Sequence, residues 1–260
     1  QGGRAEDSVR KLQEIVPALS RSHPFQTMLL SSKLRLVCTS LLCLIGTVAL
    51  SGAERGNWIS LFDGKTLHGW KKVGGNARYE ARDGAIVGTV VASQYGSFLI
   101  TEASYGDFVL AAEFKTDWGF NSGLQFRASM PPGYPVERML GYQYEIDPTD
   151  RGITGALNGD IPGRKGHGLL PTSHRGPLRD AWVRERGDGK WLNPNGWNKI
   201  RIECRGPLLK LWLNGKLTVE FDEPTFTSGR FGLQVPQMPE NSPLIGKQIA
   251  FRDLRLQVLK

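Results

Sequence analysis

The sequence predicts an all-β fold of two packed antiparallel sheets, on three observations. Gly makes up 32 of the 260 residues, well above the usual roughly 7%, and it is joined by 15 Pro and 7 Trp. Short apolar–polar alternations recur from Trp58 onward, each closed by a turn signal. No amphipathic helix pattern and no internal repeat follows residue 54. The Gly excess has no G-x-y period, which excludes collagen, and 40% hydrophobic residues exclude a wholly disordered chain.

The first 53 residues read as processing sequence. Lys33 and Arg35 precede an apolar stretch from Leu36 to Leu50, which ends in Ser51-Gly52-Ala53. A basic segment, an apolar core and small residues before a cut after Ala53 make residues 28–53 a signal peptide. Met28 stands where a natural start would lie, so residues 1–27 read as an upstream extension. The apolar stretch falls short of the roughly 18 residues a spanning helix needs, so no stable membrane anchor is expected after cleavage. The expected address is outside the cytoplasm, periplasmic or extracellular. Cleavage removes six Lys/Arg and three Asp/Glu, lowering the net charge from +8 to +5. That charge forms no basic block, which excludes a nucleic-acid footprint. Cys38 and Cys43 leave with the signal. Cys204 stays alone in the run IRIEC, so no intrachain disulfide is expected and the thiol reads as core.

Residues 54–260 read as one domain of about eleven strands. In order these are 58–62, 84–88, 97–101, 107–116, 123–128, 142–147, 197–204, 208–214, 217–221, 230–235 and 249–259. Several carry the period of two that half-buried strands show. Asn214-Gly215 is a strong hairpin turn, and Asp63-Gly64 and Asp83-Gly84 are weaker instances. That many strands in one chain predict a two-sheet sandwich. Residues 148–196 are rich in Gly, Pro, Arg, Asp and His and read as a long loop bordering a site.

Three strands carry polar rows. In the run from Tyr142 to Asp147, Gln143, Glu145 and Asp147 share one face, opposite Tyr142, Tyr144 and Ile146. Asn121, Gly123, Gln125 and Arg127 share a face opposite Leu124 and Phe126, and Gln234 lies opposite Leu233 and Val235. A core does not accept such rows unpaired. Amides, a guanidinium and carboxylates on one surface suit vicinal hydroxyls, so a carbohydrate is the expected partner. Trp118 and Tyr142 are candidate stacking platforms.

These residues also carry a family resemblance. The run Leu61-Phe62-Asp63-Gly64-Lys65-Thr66-Leu67-His68-Gly69-Trp70 resembles the opening motif of the 3-keto-disaccharide hydrolase domain family. Tyr105-Gly106-Asp107-Phe108, Asn121-Ser122-Gly123, the run ending at Asp147, Thr154-Gly155-Ala156, Gly196-Trp197-Asn198, Asn214-Gly215 and Phe251-Arg252-Asp253 follow in the family's order. The resemblance covers about residues 56–260. It implies a concanavalin A-like jelly-roll β-sandwich whose first and last strands pair. It also implies an exported enzyme acting on sugars whose C3 hydroxyl has been oxidised to a ketone. Along the polar row this chain has Gln143, Glu145, Asp147 where the family usually has Glu, Gln, Asp. It has Val235-Pro236 where the family commonly has a His, so His167 or His174 would take that place.

A C3 ketone acidifies the C2 proton, and the C1 substituent, β to the resulting carbanion, can then leave. Such a site needs a base at C2, a positive group or metal at the C3 oxygen and a donor to the departing oxygen. The expected roles are Glu145 as base, Arg127 at the developing enolate and Asp147 as acid or metal ligand. Asn121, Gln125, Gln143 and Gln234 would bind hydroxyls, with His167 and His174 nearby. No motif compels a cofactor, and a divalent cation such as Ca is open because carboxylates and amide oxygens are hard ligands. Two alternatives stand beside this reading. The run from Glu145 to Asp150 is similar to the E-x-D-x-x-E row of retaining β-glucanases, although its last position is Asp and Pro148 interrupts it. A non-catalytic carbohydrate-binding module would need the aromatics and amides but not Glu145.

Overall fold

Among the described residues of this computed structural model, every regular element is a β-strand. Those residues are 57–117, 119–130, 139–149, 151–160, 168–169 and 191–260. The expected upstream extension and signal peptide lie outside them, as do Trp118, Asp150, His167 and His174. In chain order the first strands are β1 (Ile59–Ser60), β2 (Trp70–Gly74), β3 (Arg78–Arg82), β4 (Ala85–Thr89) and β5 (Ser97–Thr101). Next come β6 (Phe108–Thr116), β7 (Ser122–Ser129), β8 (Leu140–Ile146), β9 (Leu157–Asp160) and β10 (Gly168–Leu169). The last are β11 (Asn198–Arg205), β12 (Leu208–Leu213), β13 (Lys216–Asp222), β14 (Arg230–Val235) and β15 (Gln248–Val258).

They form two antiparallel sheets. Sheet A runs β13-β12-β11-β6-β15-β4-β3, with β1 added to the far half of β15. Sheet B runs β10-β9-β8-β7-β14-β5-β2. The pairing of first and last strands is present: Ile59 faces Leu256 and Ser60 faces Arg255. Alternation explains the sandwich. On β11, Ile200, Ile202 and Cys204 point inward while Lys199 and Arg205 face solvent. They pack with Phe108, Leu110 and Phe114 of β6 against Leu124, Phe126, Tyr142 and Tyr144 of sheet B in one continuous core. Burial of the Cys204 thiol pushes its pKa up to about 12, so it is an inert core group as expected.

All eleven expected strands are present, though β1 keeps only Ile59 and Ser60 of the segment 58–62. Four strands have no counterpart in the expectation: β2, β3, β9 and β10. β3 is the edge of sheet A and reads Arg-Tyr-Glu-Ala-Arg with its charged residues exposed, the charged edge that discourages further pairing. Asn214 (φ 49°) and Gly215 (φ 79°) make the tight hairpin between β12 and β13, and Asp83 (φ 51°) and Gly84 (φ 74°) the one between β3 and β4. Asp63-Gly64 is not a hairpin. The Asp63 carboxylate accepts the amides of Lys65 and Thr66, both at 2.7 Å, and closes a capped loop ahead of Trp70.

Candidate functional site

β7 and β8 are buried on both faces, although the core covers only one of them. All seven residues of β8 are buried. Tyr142, Tyr144 and Ile146 enter the sandwich, while Gln143 and Glu145 lie on the opposite face, 7% and 3% exposed. Register aligns that face across the sheet. Gln143 stands opposite Gln125 of β7 and Asn158 of β9, and Glu145 stands opposite Gly123.

Glu145 is the centre of this face. Its carboxylate accepts hydrogen bonds from Asn121 Nδ2, from Gln143 Nε2 (3.0 Å) and from Asn158 Nδ2 (3.1 Å). Gln143 Nε2 also donates to Gln234 Oε1 (3.1 Å), and Gln143 Oε1 accepts from Gln125 Nε2 (3.3 Å). Because Glu145 fixes which end of Gln143 is the donor, the orientation of Gln125 follows. Gln125 Oε1 ends the relay buried and without a hydrogen-bond partner. A buried acceptor left unmade costs about 1–3 kcal/mol, so this atom is where a ligand donor would be most rewarded. Burial pushes the Glu145 pKa above its ordinary value of 4.5. The three amide donors and the nearby Asp147 charge pull in opposite directions but do not reverse that shift.

The backbone holds Glu145 from its other edge. Glu145 N–H donates to Ala156 C=O (2.9 Å) and Gly155 N–H donates to Glu145 C=O (2.8 Å). Gly155 is in the left-handed region (φ 86°), and a Cβ there would crowd Thr218 at 3.1 Å. Asp147 lies just past β8, 1% exposed. Its oxygens accept from Thr149 N–H (3.0 Å) and Thr149 Oγ1 (2.5 Å), and the Arg151 guanidinium closes on its other side. Arg151 Nη2 also stands 3.9 Å from Glu145 Oε1.

Several expectations need correction. Arg127 does not share the face of Gln125. A β-bulge between Phe126 and Ser129, with Arg127 at φ 46°, inserts one residue and turns its side chain inward, the same side as Phe126. The buried guanidinium donates to the carbonyls of Gly106 (3.1 Å), Gly206 (2.7 Å) and Phe226 (3.1 Å), and it pairs with Asp107 (2.8 Å). It clamps sheet B to the loops of sheet A. Tyr142 is not a stacking platform: it is fully buried, its hydroxyl donating to Glu223 C=O (3.0 Å) and accepting from Phe226 N–H (3.0 Å). The placements of Trp118, His167 and His174 lie outside the described residues.

Two residues of the face escaped the sequence reading. Asn158 sits in a segment read as loop, and the short run Leu-Asn-Gly-Asp of β9 carries no alternation that would mark a strand. Arg151 supplies the cation that Arg127 does not. For a metal, the carboxylates are a poor donor set, because a dication between Glu145 and Asp147 would meet the Arg151 guanidinium. Among the described residues no three His, Cys, Asp or Glu side chains gather as a metal site.

Comparison with known proteins fits this geometry. Residues 57–257 match the 3-keto-alpha-glucoside-1,2-lyase-like domain, and the chain belongs to that family. No curated protein sequence matches it. Among solved structures it resembles a protein provisionally named a glycosyl hydrolase from Parabacteroides distasonis (22% identity, 80% of this chain and 95% of that one, TM-score 0.54). It also resembles Bacillus licheniformis β-glucanase (10% identity, 79% and 98%, TM-score 0.52). A third is the Bacillus subtilis carbohydrate-binding module CBM66 (17% identity, 73% and 95%, TM-score 0.50). The fold is therefore the jelly-roll sandwich of these carbohydrate-active proteins.

Proposed function

We propose that the chain is an exported enzyme that cleaves 3-keto-glycosides by removing the C2 proton and eliminating the C1 substituent. The observation that carries this reading is Glu145, a buried carboxylate with a raised pKa, ringed by amides whose relay ends at an unsatisfied Gln125 oxygen. Glu145 takes the C2 proton as general base, and the electron pair of that bond moves toward the C3 oxygen. Arg151 and the Asn121 and Asn158 amides are the nearby donors for that growing charge. The charge then returns to form the C1–C2 double bond and expels the C1 oxygen. Protonated Glu145 gives the proton back to the departing oxygen, leaving an unsaturated keto sugar to which water can add. Asp147 acts as a positioning residue that holds Arg151. Gln125 Oε1 accepts from a hydroxyl, so the ketone, which has no proton to donate, belongs elsewhere along the row.

The test uses the full chain with a plain glucoside and its 3-keto form, each with and without EDTA. Aglycone release only from the keto sugar, abolished in Glu145→Gln, is the expected result. Cleavage of the plain glucoside would overturn the α-proton mechanism and favour a glucanase-like one. Saturable binding without turnover of either sugar would make the chain a binding module. Loss of activity in EDTA would place a cation in the site against the donor set described above.

A further inference from the structure

A cavity of about 810 Å³ opens where β2, β5 and β14 end. Its walls are Gly74–Asn76 at the end of β2, Ala92–Tyr95 between β4 and β5, and Gln237–Glu240 after β14. Ser93 ties these segments together. Its Oγ accepts from Asn76 N–H (3.2 Å) and donates to Tyr95 C=O (2.8 Å), and its backbone bridges Met238 in both directions. Gly75 has to be glycine here, since a Cβ would lie 2.2 Å from Tyr95 O and 2.3 Å from Ser93 Oγ. The cavity is thus pinned by backbone and by the Ser93 and Asn76 side chains, which leaves three other polar side chains of its wall unused. The side-chain amides of Gln94 and Gln237 and the Tyr95 hydroxyl make no hydrogen bond to the described protein, and Tyr95 is 45% exposed. No Lys or Arg lines it, and Glu240 is its one carboxylate, so it does not suit an anion. Amides and a hydroxyl beside an open ring suit a neutral polyol, which presents both hydroxyls and an apolar C–H face.

Its position links it to Glu145. Val235, Ser97 and Gly74 stand side by side in register where β14, β5 and β2 run out into the cavity wall. Gln234 is next to that end, and its Oε1 takes the Gln143 amide that also binds Glu145. Glu145 lies on β8, two strands from Gln234, which is about 10 Å of sheet.

We propose that this cavity is a second sugar-binding subsite, holding the neutral hexose that departs from C1. The proposal rests on the 3-keto-glycoside reading for its place in the reaction, but binding tests it independently. Tyr95→Ala and Gln237→Ala are compared with wild type on two 3-keto-glucosides, one with a methyl aglycone and one with a hexose aglycone. The expected result is a rise in KM of about fivefold for the hexose substrate, the scale of one lost ring contact, with the methyl substrate unchanged. In parallel, a plain unoxidised disaccharide is titrated into the full chain by calorimetry, where Tyr95→Ala weakens binding by a similar factor. Equal effects on both aglycones, or disaccharide binding indifferent to Tyr95→Ala, would overturn the subsite. Tyr95-dependent disaccharide binding in a protein that turns over no keto sugar would keep the subsite and reject the reaction.

Discussion

Gln143 lies across Gly123: a Cβ on that glycine would stand 2.4 Å from Gln143 Cδ and 2.5 Å from its Nε2. From this position the amide reaches Glu145 and Gln234 together. Gly123→Ala is expected to displace Gln143 at a cost in stability of about 1–3 kcal/mol, the range for overpacking, and to lower kcat/KM at least tenfold. Denaturant unfolding beside steady-state kinetics checks both halves. Wild-type kinetics in this variant would mean that the relay is unused.

The pH dependence follows from Glu145. A base must be ionised, so turnover falls as pH drops through the raised Glu145 pKa, and the acid limb of kcat/KM lies above the ordinary 4.5. Stability moves the other way. Between the unfolded and the folded pKa the folded chain holds the extra proton, so this group's contribution is fully present below the unfolded value and is lost as pH rises through the folded one. Glu145→Gln should flatten that part of the stability profile while abolishing turnover.

The two arginines separate structure from chemistry. Arg127→Met leaves three carbonyls without their donor and Asp107 with only the Gly206 N–H, and should cost about 3 kcal/mol of stability. The fraction still folded should keep its KM. Arg151 is 56% exposed but its partner Asp147 is buried, so Arg151→Met should cost about 1–2 kcal/mol of stability, less than Arg127→Met, and lower kcat about a hundredfold. The opposite pattern would return the enolate role to Arg127.

Tyr142→Phe removes one hydroxyl bonded to Glu223 C=O and Phe226 N–H. A loss of about 1–2 kcal/mol in stability with unchanged sugar affinity is expected. A selective loss of affinity would reinstate the Tyr142 hydroxyl as part of the binding surface.

N-terminal sequencing of protein recovered outside the cytoplasm should begin at Glu54. A mature chain that keeps residues 36–50 would contradict the signal-peptide reading.

Hydrophobic alternation made the sandwich legible, because most buried strands carry it strongly: β11 alternates Ile200, Ile202, Cys204 against Lys199, Arg201, Glu203. β2 (Trp-Lys-Lys-Val-Gly) did not show it, and β3 shows it only weakly, through the half-buried Tyr79 and Ala81 at the sheet edge. The Gln143–Glu145 row could be read for the same reason as the core. Alternation puts its residues on one face, and the register later set Gln125 and Asn158 beside them. Arg127 could not be read so, because a bulge shifts every later side chain by one face and strict alternation cannot register it. Gly141, opposite the bulge with a would-be Cβ 2.6 Å from Ala128 Cα, was the one available sign. Many of the motifs that carried the family resemblance prove to be locks. Asp63 caps its loop, Asp107 holds Arg127, and Asn198 and Asn214 bind each other and the neighbouring turn.

β15 lies between β4 and β6, with β1 laid along it, so the strand latest in the described chain is the one that joins both ends of sheet A. During synthesis, β1, β3 and β4 emerge early but have no partner to tie them to β6 until residues 248–258 leave the ribosome. Closure of sheet A therefore waits for the last described strand, although β6, β11, β12 and β13 can pair before it. A stop codon before residue 248 would leave β4 and β3 unjoined to β6, two halves of sheet A with nothing between them.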